Sequence, residues 1–264
     1  MSMNDLLTVK QQEVLHAYLQ GDFKTMILTG AVRSGKTFID NLLFLYELRR
    51  VKRQAEFENE KHPQYILAGA SSGSIYNNVI ASLSNQFGID LRADKHNHYH
   101  LYGVDITPVY TKSISGLAGA RGFTAYGGYV NEASLANPAV FSEILSRCSK
   151  AGSHVIADTN PDAPTHWLKT DYIDNENPDN KTLVFTFTMD DNTFLAPDYV
   201  NQKKAQTPTG MFYNREILGL WVSADGLVYQ DFDEDRMVIP ASQIPNDLHI
   251  YCGVDWGFEH KGVI

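Results

Sequence analysis

Cysteine is nearly absent from this sequence, which excludes a fold held together by disulfides. The 264 residues include two cysteines, Cys148 and Cys252, whereas disulfide-stabilised scaffolds are rich in cysteine. The first ten residues also lack the basic stretch, apolar run and small-residue cleavage site of a signal peptide. We therefore expect both thiols to be reduced and near a core, and the protein to work in a cytoplasm.

Long apolar runs and an excess of positive charge are also missing. No stretch approaches the roughly 18 apolar residues of a membrane span. Acidic residues outnumber basic ones by 31 to 22, for a formal net charge of -9, which argues against broad, non-specific coating of DNA. Local basic groups can still contact DNA, so charge alone leaves the partner undecided.

What the sequence does contain is an alternation of strand-like and helix-like segments, with no internal repeat. Apolar patterns predict strands at Thr25–Thr29, Tyr65–Ala68, Tyr126–Asn131, His154–Asp158 and Leu183–Thr188. Helical patterns occupy Phe38–Arg49, the segment from Ser71 to about Phe87, and Ala139–Cys148. The alternation predicts an α/β fold with a largely parallel central sheet between helices.

A phosphate-binding loop lies between the first predicted strand and helix. The string GAVRSGKT matches the P-loop pattern in the strand-to-helix context that the pattern requires. Its glycines allow backbone amides to point at phosphate oxygens, its lysine faces the terminal phosphates, and its threonine offers a hydroxyl to Mg2+. We predict that ATP is bound by Gly30, Ala31, Val32, Arg33, Ser34, Gly35, Lys36 and Thr37.

A second motif, VNEAS, follows the predicted strand Tyr126–Asn131. In many P-loop ATPases such a strand ends in Asp-Glu, where the aspartate supports Mg2+ and the glutamate activates water. Here Asn131 takes the place of the aspartate as a weaker magnesium residue, and Glu132 is the predicted catalytic base. Glu132 can alternatively cap the next helix. The glutamate and the extra strand between the motifs favour the motor-type branch of P-loop proteins.

Arginines and a strand end extend the predicted site. Arg33 can stabilise transition-state charge in its own subunit, or pair with a carboxylate on the surface. Arg121, in the segment GLAGARG, can reach a neighbouring subunit's nucleotide or bind local backbone. Thr159 and Asn160 can couple the terminal phosphate to the rest of the protein, or form a plain Asn-Pro turn.

Two further groups of residues favour structural interpretations. The alternating His96, His98 and His100 predict a polar, solvent-facing hairpin more than a metal site. Basic residues cluster at the end of the helix Phe38–Arg49, where we expect them to complement the helix dipole. They are Arg49, Arg50, Lys52 and Arg53. The alternative is a contact with the backbone of DNA.

Together these motifs resemble the large terminase subunit of tailed bacteriophages, a DNA-packaging ATPase. The resemblance begins at TVKQQEVL and includes GAVRSGKT, Arg121-Gly122, VNEAS and TNPD. It continues through REILGLWVSADGLVY, similar to the family's passage from motor to nuclease, and YCGVDWGF, similar to the first strand of its RNase H-like nuclease. The acidic residue usual in the family is replaced by Asn131.

The resemblance implies specific roles and partners. Gln11 would contact adenine, and Asp255 would be the first metal-binding aspartate of the nuclease. Because two-metal cleavage needs several carboxylates, we expect Mg2+- or Mn2+-dependent nuclease activity only of the full-length protein. The implied partners are double-stranded DNA, the portal protein of a procapsid and the small terminase subunit. The implied assembly is a homo-oligomeric ring in the host cytoplasm during virion assembly, with a monomer possible in isolation.

The predicted organisation is a P-loop ATPase domain of the RecA/ASCE type at residues 1–220, a linker at 221–247, and the start of a truncated RNase H-like domain at 248–264. Two alternatives share the motifs. One is a helicase-type or recombination ATPase, which would separate strands. The other is a nucleotide-responsive binding module with negligible turnover, which the amide at Asn131 favours.

Overall fold

A seven-stranded sheet forms the centre of residues 6–223, which together with Val238 are the residues that this computed structural model describes. The chain divides into two compact units, residues 1–224 and 225–264. Cys252, Asp255, most of the predicted linker and the predicted nuclease strand lie outside the described residues. Their assignment stays a prediction.

The strand order across the sheet is β3-β4-β2-β5-β6-β1-β7. All neighbouring strands are parallel except the β3–β4 pair, which is an antiparallel hairpin. The strands are β1 Thr25–Gly30, β2 Gln64–Gly69, β3 Tyr99–Leu101, β4 Val104–Tyr110, β5 Gly127–Val130, β6 His154–Thr159 and β7 Thr182–Phe187. The predicted mostly parallel α/β fold is therefore confirmed.

Helices cover both faces of the sheet. They are α1 Val9–Gln20, α2 Lys36–Glu58, α3 Ser72–Ile75, α4 Ala81–Phe87, α5 Gly116–Ala120, α6 Pro138–Arg147, α7 Pro197–Gln206 and α8 Met211–Glu216. A π-helical stretch, Tyr76–Ile80, joins α3 to α4. In the described part of the chain, none of the helices combines the length and the apolar character needed to cross a membrane.

Side chains of β1 alternate between two hydrophobic layers, as the pleat of a strand requires. Met26 and Leu28 pack in the layer that includes Leu43 of α2, whereas Ile27 packs in the layer that includes Phe141 of α6. The run TMILTG is buried at every position, since a central parallel strand is covered on both faces. Cys148 lies in the second layer as a buried, free thiol, as predicted.

The prediction for the first long helix was wrong at its end, and the basic cluster was misinterpreted with it. Helix α2 continues to Glu58, so the cluster lies within the helix and cannot complement its C-terminal dipole. Arg50 instead forms a two-pronged ion pair with Glu47, with both N–O distances at 2.8 Å. Arg49 lies over the ring of Tyr102.

Glu47 is the centre of a buried polar network that joins α1, α2 and β6. Its carboxylate accepts hydrogen bonds from Tyr18 at 2.8 Å and Arg50, and contacts Nδ1 of His154 at 3.1 Å. Burial alone would raise the pKa of Glu47, but the bonds from Arg50 and His154 outweigh it and hold the pKa below its ordinary value. The network is therefore built around the ionised carboxylate.

Removing the Glu47 carboxylate should destabilise the fold strongly, because it leaves the largely covered guanidinium of Arg50 without its counter-charge. We expect Glu47→Ala to lower the free energy of unfolding by about 3–5 kcal/mol, measured by urea denaturation. Glu56→Ala is the matched control, since Glu56 lies on the same helix in an exposed ion pair with Lys52 and should cost less than about 1 kcal/mol. Equal losses in the two variants would contradict a central role for the network.

Candidate active site

The carboxyl ends of β1, β5 and β6 meet at one edge of the sheet and bring the predicted motifs together. β6 lies between the other two strands, with Leu28 of β1 paired to Asp158 and Val130 of β5 paired to Ala157. The P-loop leaves β1, Asn131 and Glu132 leave β5, and Asp158 occupies the end of β6. Open α/β sheets bind ligands at this edge.

The P-loop has the backbone conformation that its glycines predict. Gly30 has a φ of 143°, and a Cβ there would lie 2.1 Å from the carbonyl oxygen of Phe187 on β7. Gly35 has a φ of 91° and directly precedes the first turn of α2. The unpaired amides of that turn carry partial positive charge, which suits a phosphate group.

Lys36 is buried against its own loop. Its ammonium donates to the carbonyl oxygens of Gly30 at 2.9 Å and Ala31 at 2.6 Å, and to Oδ1 of Asn160 at 3.3 Å. Burial lowers the pKa of Lys36 to about 8, although the nearby charges of Asp158 and Asp40 act in the opposite direction. The loop thus holds a positive charge that has lost most of its hydration, and a phosphate can replace that hydration.

Glu132 is held at the start of a short 3-10 turn in a left-handed conformation, with a φ of 54°. Such a conformation is uncommon for a residue other than glycine and is typical of functional sites. Its backbone N–H donates to Oδ1 of Asp158 at 3.2 Å, which fixes the turn. Burial, with a smaller contribution from the charge of Asp158, raises the pKa of the half-buried Glu132 carboxyl, as suits a general base.

A cavity of about 480 Å³ joins these groups. It lies over the P-loop and reaches the ends of β5 and β6, with a side formed by the π-helical segment and α4. The residues that line it are Val32, Arg33, Ser34, Gly35, Lys36, Thr37, Phe38, Asn78, Ser82, Gln86, Asn131, Glu132, Asp158, Asn160, Asn192 and Leu195.

Gln11 is buried beside the loop, with both ends of its amide hydrogen-bonded. Its Nε2 donates to the carbonyl oxygen of Gly35 at 2.9 Å, and its Oε1 accepts from the N–H of Thr8 in a capping box at the start of α1. A separate pocket of about 400 Å³ adjoins it. Three large apolar side chains line that pocket together with Gln11, Gly35 and Asn192: Leu6, Phe38 and Phe194.

The two predicted arginines have different surroundings. Arg33 is exposed at the cavity, with a φ of 58°, and its carbonyl oxygen accepts from Asn192 at 2.7 Å. Arg121 follows α5, with its Nε 3.8 Å from Glu143 of the same chain, and does not line the cavity. The structure therefore brings Arg33, but not Arg121, to the nucleotide-sized space of its own subunit.

Thr159 and Asn160 connect the cavity to the residues around Glu132. Asn160 accepts from Lys36, as described above. The hydroxyl of Thr159 accepts from the N–H of Ser134 at 3.1 Å, two residues after Glu132. These bonds join the P-loop, β6 and the segment after β5 in one network.

Several polar residues in or near the cavity were not predicted from the sequence. Asp158 was assigned only as a strand end, because its proximity to Glu132 depends on the strand order. Asp40, one helical turn after Lys36, was overlooked because most of its neighbours on α2 are apolar. Asn78 and Asn192 lie on segments with no motif of their own. Helix α1, which carries Gln11, was also not predicted. The capping box of Thr8 and Gln11 at its start is a sequence signal that could have indicated it.

The chain belongs to the terminase large-subunit family. The model of the family described as terminase large subunit, T4-like-virus type, N-terminal part matches residues 27–236. No sequence among the curated proteins is significantly similar. The resemblance inferred from the motifs is therefore confirmed.

Solved structures of phage terminases share the fold. The large terminase of a thermophilic bacteriophage is 26% identical over 95% of this chain and 62% of its own, with a TM-score of 0.71. Its complex with ADP has the same identity and coverage, with a TM-score of 0.68. The ATPase domain of the large terminase from a Thermus phage is 12% identical over 76% of this chain and 89% of its own, with a TM-score of 0.51. This chain thus spans about 62% of the length of the first of these relatives.

Proposed function

We propose that this chain is the ATPase motor of a viral DNA-packaging terminase, which hydrolyses ATP to move double-stranded DNA into a procapsid. The observation that carries the proposal is the cavity that Lys36, Thr37 and Glu132 line together. A phosphate-binding loop and a carboxylate suited to activate water thus face the same space. Membership in the terminase family and the ADP complex of the thermophilic-phage relative support the proposal.

The two neighbouring pockets together suit a nucleoside triphosphate. The phosphates fit the P-loop cavity, where backbone amides and Lys36 supply positive charge. The adenine fits the apolar pocket beside Gln11 and Phe194, which adjoins the loop at Gly35. Since both polar ends of Gln11 are hydrogen-bonded within the protein, we expect adenine to gain more from the apolar side chains than from the glutamine.

The residues at the cavity also suit a magnesium ion. Mg2+ takes oxygen ligands and is usually held by one or two carboxylates together with substrate phosphates. Thr37 offers a hydroxyl, and the ends of β5 and β6 offer the carboxylate oxygens of Glu132 and Asp158. When bound, the ion neutralises charge on the phosphate oxygens.

Glu132 acts as the base in hydrolysis. It takes a proton from the attacking water as the new bond to the terminal phosphorus forms and the bond to the bridging oxygen breaks, releasing ADP and phosphate. Arg33 stabilises the developing charge from within the subunit. Arg121 does so from a neighbouring subunit, since it is exposed and lies away from its own cavity.

Thr159 and Asn160 couple the state of the nucleotide to the fold. A phosphate that engages Lys36 competes with the carbonyl oxygens and with Asn160 for its three N–H donors. Release of Asn160 alters the hydrogen bonds at the end of β6, which Thr159 shares with Ser134. The change therefore reaches the turn that carries Glu132.

The remaining parts of the proposal concern the whole protein and its surroundings. We propose that it assembles as a homo-oligomeric ring on the portal of a procapsid, with the small terminase subunit and duplex DNA as partners. Assembly takes place in the host cytoplasm during virion formation. We propose a nuclease that uses Mg2+ or Mn2+ for the full-length protein, with Asp255 as one of its ligands.

Two substitutions separate binding from turnover. We expect Lys36→Ala to abolish ATP binding, because it removes the cation that faces the phosphates. Glu132→Gln should bind ATP normally yet hydrolyse it at least 100-fold more slowly, in line with the contribution of general bases of about 10²–10⁴. Binding is measured by calorimetry with ATPγS and turnover by phosphate release. Substantial hydrolysis by Glu132→Gln would exclude this residue as the base.

Truncating Phe194 should weaken nucleotide binding without harming the fold. The ring is 60% exposed, and stacking of a base on an aromatic side chain contributes about 1–3 kcal/mol. We therefore expect Phe194→Ala to weaken ADP binding on the order of tenfold, measured with a fluorescent analogue. Phe57→Ala is the control, because Phe57 is 89% exposed near the far end of α2. Equal affinities in the two variants would place adenine elsewhere.

The DNA-directed part of the proposal predicts translocation without unwinding. With procapsids carrying the portal, ATP should drive duplex DNA into a nuclease-resistant state, and the Glu132→Gln variant should fail to do so. A forked duplex should keep its strands paired under the same conditions. ATP-dependent strand separation would instead favour the helicase-type alternative.

A further inference from the structure

Asn131 follows β5, where the resemblance to the terminase family implies an acidic residue, and its side chain is hydrogen-bonded at both ends. It is 1% exposed. Its Oδ1 accepts from Nδ2 of Asn78 at 2.9 Å, and its own Nδ2 donates to Oδ1 of Asp158 at 2.9 Å. An amide used at both ends is poorly placed to present its oxygen to a metal ion or to a water bound to one.

The orientation of this amide follows from its partner. An ionised carboxylate accepts hydrogen bonds but cannot donate them. The NH2 group of Asn131 must therefore face Asp158, which leaves its oxygen facing Asn78. The hydrogen-bond network thus fixes which end of the amide points to the carboxylate.

Asp158, unlike Asn131, has an oxygen that is free to face a ligand in the cavity. It stands at the end of β6, between the strands that carry the P-loop and Glu132, and it lines the cavity. Its side chain is almost fully buried, with Oδ1 accepting from both Asn131 and the N–H of Glu132. Neither bond uses Oδ2. The carboxylate is thus held by one oxygen, which leaves the other for a ligand in the cavity.

We infer that Asp158 supplies the carboxylate that supports the magnesium ion of bound ATP, and that Asn131 is a positioning residue that holds Asp158 in place. This inference rests on the proposed ATP site and deepens it. The supporting carboxylate thus stands at the end of β6 and not at the end of β5. The amide of Asn131, at the end of β5, donates the hydrogen bond that orients this carboxylate.

A second buried carboxyl group, that of Asp40, interacts with the charges of Asp158 and Lys36. Asp40 is fully buried on α2, and within the described residues neither of its oxygens has a hydrogen-bond partner. Burial first, and the charge of Asp158 second, raise the pKa of Asp40 well above its usual value. Lys36 is the cation that offsets both groups.

The test compares metal affinity in variants that exchange the two side chains. Mn2+ replaces Mg2+, and its binding to the protein–ATPγS complex is followed by electron paramagnetic resonance, with ATPγS affinity in EDTA measured separately. We expect Asp158→Asn to bind ATPγS normally in EDTA but to hold Mn2+ about 10–100-fold more weakly, the range typical of groups that support a metal site. Combining Asp158→Asn with Asn131→Asp should restore Mn2+ affinity to within about threefold, because the donor and acceptor are exchanged while the charge is kept.

Asp162→Asn is the matched control, since Asp162 lies four residues further along and pairs with Arg215 outside the cavity. It should leave Mn2+ affinity unchanged. Unaltered Mn2+ affinity in Asp158→Asn, or failure of the double exchange to recover affinity while still binding ATPγS in EDTA, would overturn the inference. Failure of the unaltered protein to bind ATPγS at all would instead overturn the proposed function.

Discussion

The position of β6 between β1 and β5 is the constraint on which the site depends. Parallel pairing on both sides sets the ends of three strands side by side, with Leu28 opposite Asp158 and Val130 opposite Ala157. A shift by one residue would turn Asp158 to the other face of the sheet. The cavity would then lose both its buried carboxylate and the acceptor that fixes the backbone of Glu132.

The same pairing explains why strain can persist at Glu132. A left-handed residue other than glycine costs about 1–3 kcal/mol unless its surroundings fix it. Here the N–H of Glu132 is bonded to Asp158, and the next turn is bonded to Thr159. Both partners belong to β6, which is buried along its whole length. The buried strand β6 thus holds the backbone of Glu132, the proposed base, in one position.

Much of the fold and the P-loop could be predicted from the sequence, because each depends on local pattern. The glycines of GAVRSGKT determine the geometry of the loop. The predicted bounds of the five apolar strands differ from the observed bounds by no more than one residue. The end of α2 could not be predicted in this way, since Arg50 interrupts the apolar pattern. Its side chain is largely covered and pairs with the buried Glu47, which also contacts His154. Asp158 was missed for a related reason. Its neighbours come from another strand, and sequence spacing does not give strand order.

The P-loop and the ends of β5 and β6 form one ligand-binding unit, and hydrogen–deuterium exchange tests this directly. Saturating Mg2+ and ATPγS should slow exchange at the amides of residues 33–37 and of residues 131–134 and 158–160, with the same dependence on nucleotide concentration. The hairpin of β3 and β4, at the far edge of the sheet, should remain unaffected. Slowed exchange at the P-loop with no change at the ends of β5 and β6 would contradict a shared site.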